Sequence, residues 1–286
     1  MSIKRVLVHL DDSTVCDDRL RTSMLLAHTF NAEINGVFIE KDQAALAMPA
    51  TASMAENPAL VQSEMERFQE LNRESKQHIA DKISSLESPV FNELPWQAEQ
   101  GDVREILSEL GLFNDLIVMT NSVDNDPLLT IKPLATDIAV HTSCPVLVVP
   151  KGKPLKAPLR NTFVCWNGTV EASRAIQQSI PFLKSSYLVT LFCYRDNSTS
   201  LHHYANSQQH MLEYLRAHHI NVNLIDDQEP MEQDDILKRI YQLGKKEPFE
   251  LLIIGAYDHS NIRELLFSSP TKQILKAESF PVLLSH

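Results

Sequence analysis

Short runs of β-branched and aliphatic residues alternate along the chain with longer stretches in which apolar residues recur at helical spacing. In the first half the short runs predict strands at 3–10, 33–39, 91–98, 115–119 and 145–149. The stretches between them predict helices at 15–30, 59–86, 102–111 and 132–142. Nearly continuous apolar strands separated by helices are typical of βαβ units, whose parallel sheet is covered on both faces.

The second half predicts the same succession of elements. Its strands are expected near 161–166, 187–194, 220–225, 250–255 and 281–285. Its helices are expected at 170–184, 200–218, 231–245 and 262–278. Right-handed crossovers then give each half an α/β fold, with a five-stranded parallel sheet flanked by helices on both faces.

The two halves also resemble each other in sequence. Residues 143–149 (SCPVLVV) are echoed by 279–285 (SFPVLLS), an offset of 279 − 143 = 136 residues, and 115–119 (DLIVM) pairs with 250–254 (ELLII). The segment 151–158 carries two prolines, a glycine and three lysines, which suit neither a strand nor a helix. We therefore predict a first domain at 1–150, a linker at 151–158 and a second domain at 159–286.

Charge and composition indicate which cellular environment and which classes of partner suit the protein. The 26 basic and 37 acidic side chains leave a net charge of −11, which disfavours binding to nucleic acid or to an anionic membrane surface. The four cysteines are scattered without a C-x-x-C pair, as suits a reducing compartment. The apolar runs are strand-sized, and the first residues do not have the pattern of a secretory signal. We expect a cytoplasmic protein.

Three segments together resemble the universal stress protein family, and the resemblance covers nearly the whole chain. They are 6–13 (VLVHLDDS), 164–175 (VCWNGTVEASRA) and 255–266 (GAYDHSNIRELL). The resemblance implies two Rossmann-like domains of the adenine nucleotide alpha hydrolase type, packed as a pseudo-dimer within one chain. It also implies pairing between the final strands at 146–149 and 282–284, with further homodimerisation and an unidentified protein partner as open expectations.

Family members that bind ATP carry a glycine-rich pattern that continues past the fourth strand, because glycines let the backbone approach phosphates. The first glycine of that pattern is Gly255, whereas Asp258 and Ser268 replace the other two glycines. Asp258 brings a charge toward a phosphate, although aspartate also helps to bind Mg²⁺. The resemblance thus implies a partly retained site for ATP, with Mg²⁺, or for another small ligand. Its candidate residues are Asn167, Gly255, Asp258, His259, Arg263, Ser268 and Ser269.

The first half departs further from the pattern. No glycine occurs between Asp115 and Pro150, and the stretch that aligns with the glycine-rich loop carries Asp124, Asp126 and Pro133. We expect no phosphate site there. Asp11 matches the acidic residue that ends the first strand in the family, and Asn167 takes its place in the second half. For Asp11 and Asn167 alike, a turn or a helix cap is the alternative interpretation.

Other chemistries find less support in the sequence. His203, His210 and His218 recur at spacings of 7 and 8, which is too long for one metal ion on a helix. Motifs for a nucleophile elbow, a Walker lysine loop and a dinucleotide fingerprint do not occur. No catalytic residue is assigned. Three functions stay open: a non-catalytic stress-response protein that binds a small ligand, a ligand-free protein-interaction module, and a weak ATP hydrolase. The segment 41–57 is a loop, a lid or a surface insertion.

Overall fold

The structure is a computed structural model that describes residues 2–40, 58–85, 94–120, 135–195, 201–227, 229–231, 233–256, 274 and 279–286. Within these ranges, ten strands form one sheet in the order β3-β2-β1-β4-β5-β10-β9-β6-β7-β8. The strands are β1 Arg5–Leu10, β2 Glu33–Glu40, β3 Trp96–Gln100, β4 Leu116–Met119, β5 Val146–Val148, β6 Asn161–Trp166, β7 Leu188–Cys193, β8 Val222–Asp226, β9 Leu251–Gly255 and β10 Val282–Ser285.

Helices cover both faces of this sheet. In the described ranges they are α1 Cys16–Phe30, α2 Pro58–Ser85, α3 Val103–Gly111, α4 Ala135–His141, α5 Val170–Gln178, α6 Ile180–Ser185, α7 Leu201–Ala217 and α8 Gln233–Lys246. Side chains of α1, α2, α5, α6 and α7 pack into one apolar core. Those of α3, α4 and α8 pack into a second core on the other face. No described helix has the length and apolar character needed to cross a membrane.

The predicted parallel strands with helices on both faces are confirmed. The two halves are in addition joined through a pair of strands. β5 and β10 pair antiparallel, with Val148 opposite Val282 and Val146 opposite Leu284. The expected pairing of the final strands is therefore confirmed. The two five-stranded sheets are continuous and not separate, because each of these strands supplies the backbone groups that the other would leave unpaired.

Local chemistry accounts for several differences from the predicted element bounds. The helix predicted at 170–184 is interrupted at Ser179, and a new helix begins at Ile180, because the ring nitrogen of Pro181 cannot donate to the preceding turn. The third strand, predicted at 91–98, is observed at Trp96–Gln100, with 91–93 outside the described residues. The predicted linker is tied to α1, since Gly152 N donates to Asp18 Oδ2 at 2.7 Å and Leu155 N to Thr22 Oγ1 at 3.0 Å.

The strand register shows which positions of the first half correspond to which positions of the second half. Val6 lies opposite Leu116 and Ile34, and Thr162 lies opposite Leu251 and Val189 in the same arrangement. The residues just before β4 and β9 agree with this match: a carboxylate oxygen of Asp115 accepts from the backbone of Arg5, and one of Glu250 accepts from the backbone of Asn161. On this basis Val6 corresponds to Thr162, an offset of 162 − 6 = 156 positions along the first strand of each half.

Candidate functional site

The carboxyl ends of the parallel strands form one edge in each half, and this is where doubly wound sheets bind ligands. In the first half, Asp11 follows β1 and Thr120 follows β4. In the second half, Asn167 follows β6 and Gly255 ends β9. Asp11 and Asn167, which the sequence matches to each other, are thus brought to matching places, and Gly255 lies at the strand end that Thr120 follows in the first half.

The edge of the first half is filled by its own side chains. Arg19, on the first turns of α1, forms an ion pair with Asp11 at 2.6 Å between Nη2 and Oδ1. Its Nη1 donates to Thr120 Oγ1 at 3.1 Å. Arg19 is only 1% exposed. A guanidinium that is buried and neutralised in this way is not available to bind an incoming phosphate.

The same network sets the protonation states around it. Burial by itself would raise the pKa of Asp11, but the charges of Arg19 and His9 and a hydrogen bond from Ser13 hold that pKa well below its usual range. The pKa of His9 falls to about 4, because burial and the Arg19 charge outweigh the attraction of Asp11. Near neutral pH the cluster therefore contains one carboxylate, one guanidinium and one neutral imidazole.

Asp11 also stabilises the turn into α1, as its alternative interpretation predicts. Its Oδ1 accepts from Ser13 N at 3.0 Å and from Ser13 Oγ at 2.5 Å. Asp11 Oδ2 and Arg19 Nε are buried without a hydrogen-bond partner. The network is thus built around one ion pair, with some of its hydrogen-bonding capacity unused.

Asn167 makes the corresponding turn in the second half. Its Oδ1 accepts from Thr169 Oγ1 at 2.9 Å and from Thr169 N at 3.3 Å. Thr169 then caps α5, with its hydroxyl oxygen accepting from Ala172 N at 3.3 Å. The carbonyl oxygen of Asn167 is therefore engaged in the turn, and its amide NH₂ is the group that remains to recognise a ligand.

Gly255 is required for packing. A Cβ atom on Gly255 would lie 2.7 Å from the backbone nitrogen of Ala172 and 2.8 Å from the carbonyl carbon of Glu171. Both are backbone atoms, which cannot swing aside. The start of α5 thus explains this glycine without any phosphate, a role that the sequence pattern could not distinguish from ligand binding.

The two edges differ in how they are filled. The offset of 156 positions between β1 and β6 also relates the helices that follow them, so that Arg19 corresponds to Ala175. Ala175 is 1% exposed. From the strand register, Thr120 corresponds to Gly255. Small residues therefore stand in the second half where the first half has a buried cation and its hydroxyl partner.

The end of β8 in the second half carries two acidic residues that the sequence motifs did not single out. Asp226 Oδ1 accepts from Tyr204 Oη at 2.8 Å and from Gln208 Nε2 at 2.6 Å. Arg239 makes two hydrogen bonds to the Asp227 carboxylate, at 2.5 and 3.0 Å. The signal available in the sequence was an Asp-Asp pair directly after a predicted strand.

Several predicted residues lie outside the described residues. These are Asp258, His259, Arg263, Ser268 and Ser269 of the second half, Asp124, Asp126 and Pro133 of the first, and the segment 41–57. The helix predicted at 262–278 lies there too, apart from Ile274. In the described part of the chain, no group of three or more His, Cys, Asp or Glu side chains is placed to hold a metal ion.

Solved structures with the same fold cover nearly the whole chain. A universal stress protein from Archaeoglobus fulgidus DSM 4304 has a TM-score of 0.64 and 13% identity, with 99% of this chain and 96% of that chain covered. A protein of unknown function from Pseudomonas aeruginosa PAO1 has a TM-score of 0.55 and 12% identity, with 99% and 92% covered. No protein-family model and no curated protein matches the sequence.

Proposed function

We propose that this chain, whose fold is that of the universal stress proteins, is a non-catalytic stress-response protein that binds a small ligand in its second half. The resemblance in sequence is confirmed at the level of the fold by the solved structures. An adenine nucleotide is the ligand that we propose, with ATP and Mg²⁺ as its first representative. The first half then serves as a scaffold.

The contrast between the two strand edges carries the proposal. Arg19 and Thr120 fill the first edge, whereas Ala175 and Gly255 leave the matching positions of the second edge without a charged or hydroxyl side chain. A buried cation already paired with a carboxylate would have to be displaced before a ligand entered the first half. The second half has no such requirement at these positions.

The proposal assigns the base or the ribose to Asn167. The Asn167 amide is a hydrogen-bond donor beside Gly168, whose φ of +79° turns the chain into α5. For the phosphates, the proposal assigns Arg263, Ser268 and Ser269 as donors, with Asp258 toward Mg²⁺ and His259 in the pocket wall. The assignment of these residues depends on the resemblance of their motif alone.

The first experiment identifies what the purified protein carries. Small molecules released from gently purified protein are analysed by mass spectrometry, and the protein is then titrated calorimetrically with ATP, with and without Mg²⁺. We expect nucleotide to bind without turnover. Turnover would instead support the weak ATP hydrolase, and a protein that neither carries nor binds nucleotide would support the ligand-free interaction module.

A matched pair of variants locates the binding. Asn167→Ala removes the amide donor, so we expect ATP affinity to fall at least about tenfold, the equivalent of about 1.4 kcal/mol. Asn223→Ala makes the same change at an exposed position of β8 and leaves binding unchanged. Equal affinities for the two variants would exclude Asn167 from the site.

The proposal also covers the cellular location of the protein, its domains and its assembly. We propose a cytoplasmic protein in which the two halves act as a pseudo-dimer, with one domain at 1–150, a linker at 151–158 and a second domain at 159–286. Homodimerisation and association with a protein partner are further parts of the proposal, whereas nucleic acid and membranes are not proposed partners. Light scattering at several protein concentrations tests the homodimer directly.

A further inference from the structure

A cavity lies at the other end of the first half, beside the amino-terminal parts of β1, β2 and β3. It has a volume of about 400 Å³. Its floor includes Leu7 and Val37, which belong to the second apolar core, and Phe113 from the segment after α3 lies at its side with 66% of its surface exposed. Volumes of this size are common among small-molecule sites.

Two polar side chains in the wall of this cavity have unused hydrogen-bonding capacity. Asn35 Nδ2 and Asn114 Oδ1 are buried and have no partner. A hydrogen bond orients the Asn114 amide, whose Nδ2 donates to Leu110 O at 2.8 Å. Two residues that line the same cavity thus have one unused donor and one unused acceptor beneath its surface, which is uncommon because buried polar groups are nearly always paired.

The second half provides an internal comparison for this region. There the corresponding positions are closed by aromatic packing, with ring centroids 5.0 Å apart for Phe163 and Phe249 and 5.8 Å apart for Phe163 and Phe192. The position of Asn35 is taken by Thr190, whose hydroxyl donates to Asn161 Oδ1 at 3.0 Å. The same place in the fold is thus filled and satisfied in one half, but open and unsatisfied in the other.

The strand register defines these correspondences. Leu7 matches Phe163, Val37 matches Phe192 and Asn35 matches Thr190. Asn114 and Phe249 stand directly before the matched residues Asp115 and Glu250. The cavity therefore follows from a few specific side chains and not from the fold itself.

We propose that this cavity binds a small molecule with a secondary amide, an apolar side chain and a carboxylate, which is the chemistry of an N-acylated amino acid. The amide carbonyl accepts from Asn35, and the amide N–H donates to Asn114, after a small adjustment of side chains that solvent does not reach. The apolar side chain lies against Leu7 and Val37. The carboxylate faces Arg5, an exposed cation in the cavity wall.

Binding is tested on the full-length protein with N-acetyl-L-leucine as the probe. Titration is followed by the NMR shifts of the methyl groups of Leu7 and Val37 and of the Asn35 and Asn114 side-chain amides. We expect saturable shifts confined to these groups. Free L-leucine, which has no acyl amide, and N-acetyl-L-leucinamide, which has no carboxylate, are each expected to bind at least about tenfold more weakly, a loss of about 1.4 kcal/mol.

Variants that introduce the second-half residues identify the cavity as the site. Leu7→Phe fills its floor, and Asn35→Thr replaces the unused amide donor by a hydroxyl that ends one bond short of it, so both are expected to abolish the saturable shifts. Leu224→Phe makes the same aliphatic-to-aromatic change on an exposed part of β8 and leaves binding intact. Asn35→Thr keeps the test decisive if Leu7→Phe does not fold, because it only exchanges an amide for a smaller polar group.

The outcomes separate the alternatives. Saturable binding that both variants remove supports the proposal. Shifts that do not saturate, or that persist in Asn35→Thr, overturn it and identify the cavity as a packing feature of the first half. Equal affinity for free L-leucine overturns the assigned amide contacts. Because the cavity lies away from the carboxyl ends of the strands, ATP binding in the second half neither supports nor opposes this result.

Discussion

Replacing Arg19 by methionine tests whether the edge of the first half is held together by its buried ion pair. The substitution keeps much of the side-chain volume but leaves the Asp11 carboxylate, 15% exposed, without the cation that stands 2.6 Å away. Breaking a buried pair by removing one partner typically costs about 3–5 kcal/mol. Since part of Asp11 is exposed to solvent, we expect a loss near the lower end, about 3 kcal/mol.

The loss is measured by urea unfolding in a Trp166→Phe background, where Trp96 of the first half is the remaining tryptophan. Arg21→Met is the matched control, because Arg21 is an exposed residue of the same helix. Exposed substitutions usually change stability by less than about 0.5 kcal/mol. If Arg19→Met destabilised the protein no more than Arg21→Met does, the ion pair would have no stabilising role.

A double-mutant cycle separates the ion pair from the packing of the Arg19 side chain. Asp11→Asn alone leaves a buried guanidinium without its counter-ion, but it keeps an oxygen for the turn, as Asn167 does in the second half. The double variant Asp11→Asn, Arg19→Met removes both charges. We expect it to be at least about 2 kcal/mol more stable than the sum of the single losses predicts. Additive losses would contradict the electrostatic account.

Three further predictions concern His9, Gly255 and Leu283. Because the pKa of His9 falls from 6.5 to about 4, the unfolded chain binds more protons between these values, so stability decreases as pH falls from 6.5 to 4. The contribution is about 3 kcal/mol, and His9→Leu removes this part of the pH dependence in urea midpoints. Gly255→Ala places its Cβ against the backbone of α5 and is expected to cost about 1–3 kcal/mol by urea unfolding, so an unchanged midpoint would contradict the close contact. Leu283→Ala opens a cavity where β10 meets β5 and is expected to lower thermal stability by about 2–5 kcal/mol, and a loss below about 1 kcal/mol would mean that the junction is not tightly packed.

Local patterns in the sequence predicted the helices, strands and turns that depend mainly on residues close together in the chain. Apolar runs and helical spacing identified the ten described strands and most of the described helices, with end points that moved by a few residues. The interpretation of Asp11 and Asn167 as turn residues was available for the same reason, since each side chain bonds to a residue only two positions ahead. Such contacts need no knowledge of the rest of the chain.

The tertiary structure decided the features that depend on distant residues. Arg19 meets Thr120 across 101 positions of sequence, and nothing in the pattern of either segment reveals that contact. The same holds for Gly255 against the start of α5 and for the two asparagines that border the cavity of the first half. Periodicity reports which face of an element is buried, whereas strand register and helix packing determine which buried side chains meet. The sequence therefore established the kind of fold, and only the packed structure showed that a buried ion pair fills the edge of the first half.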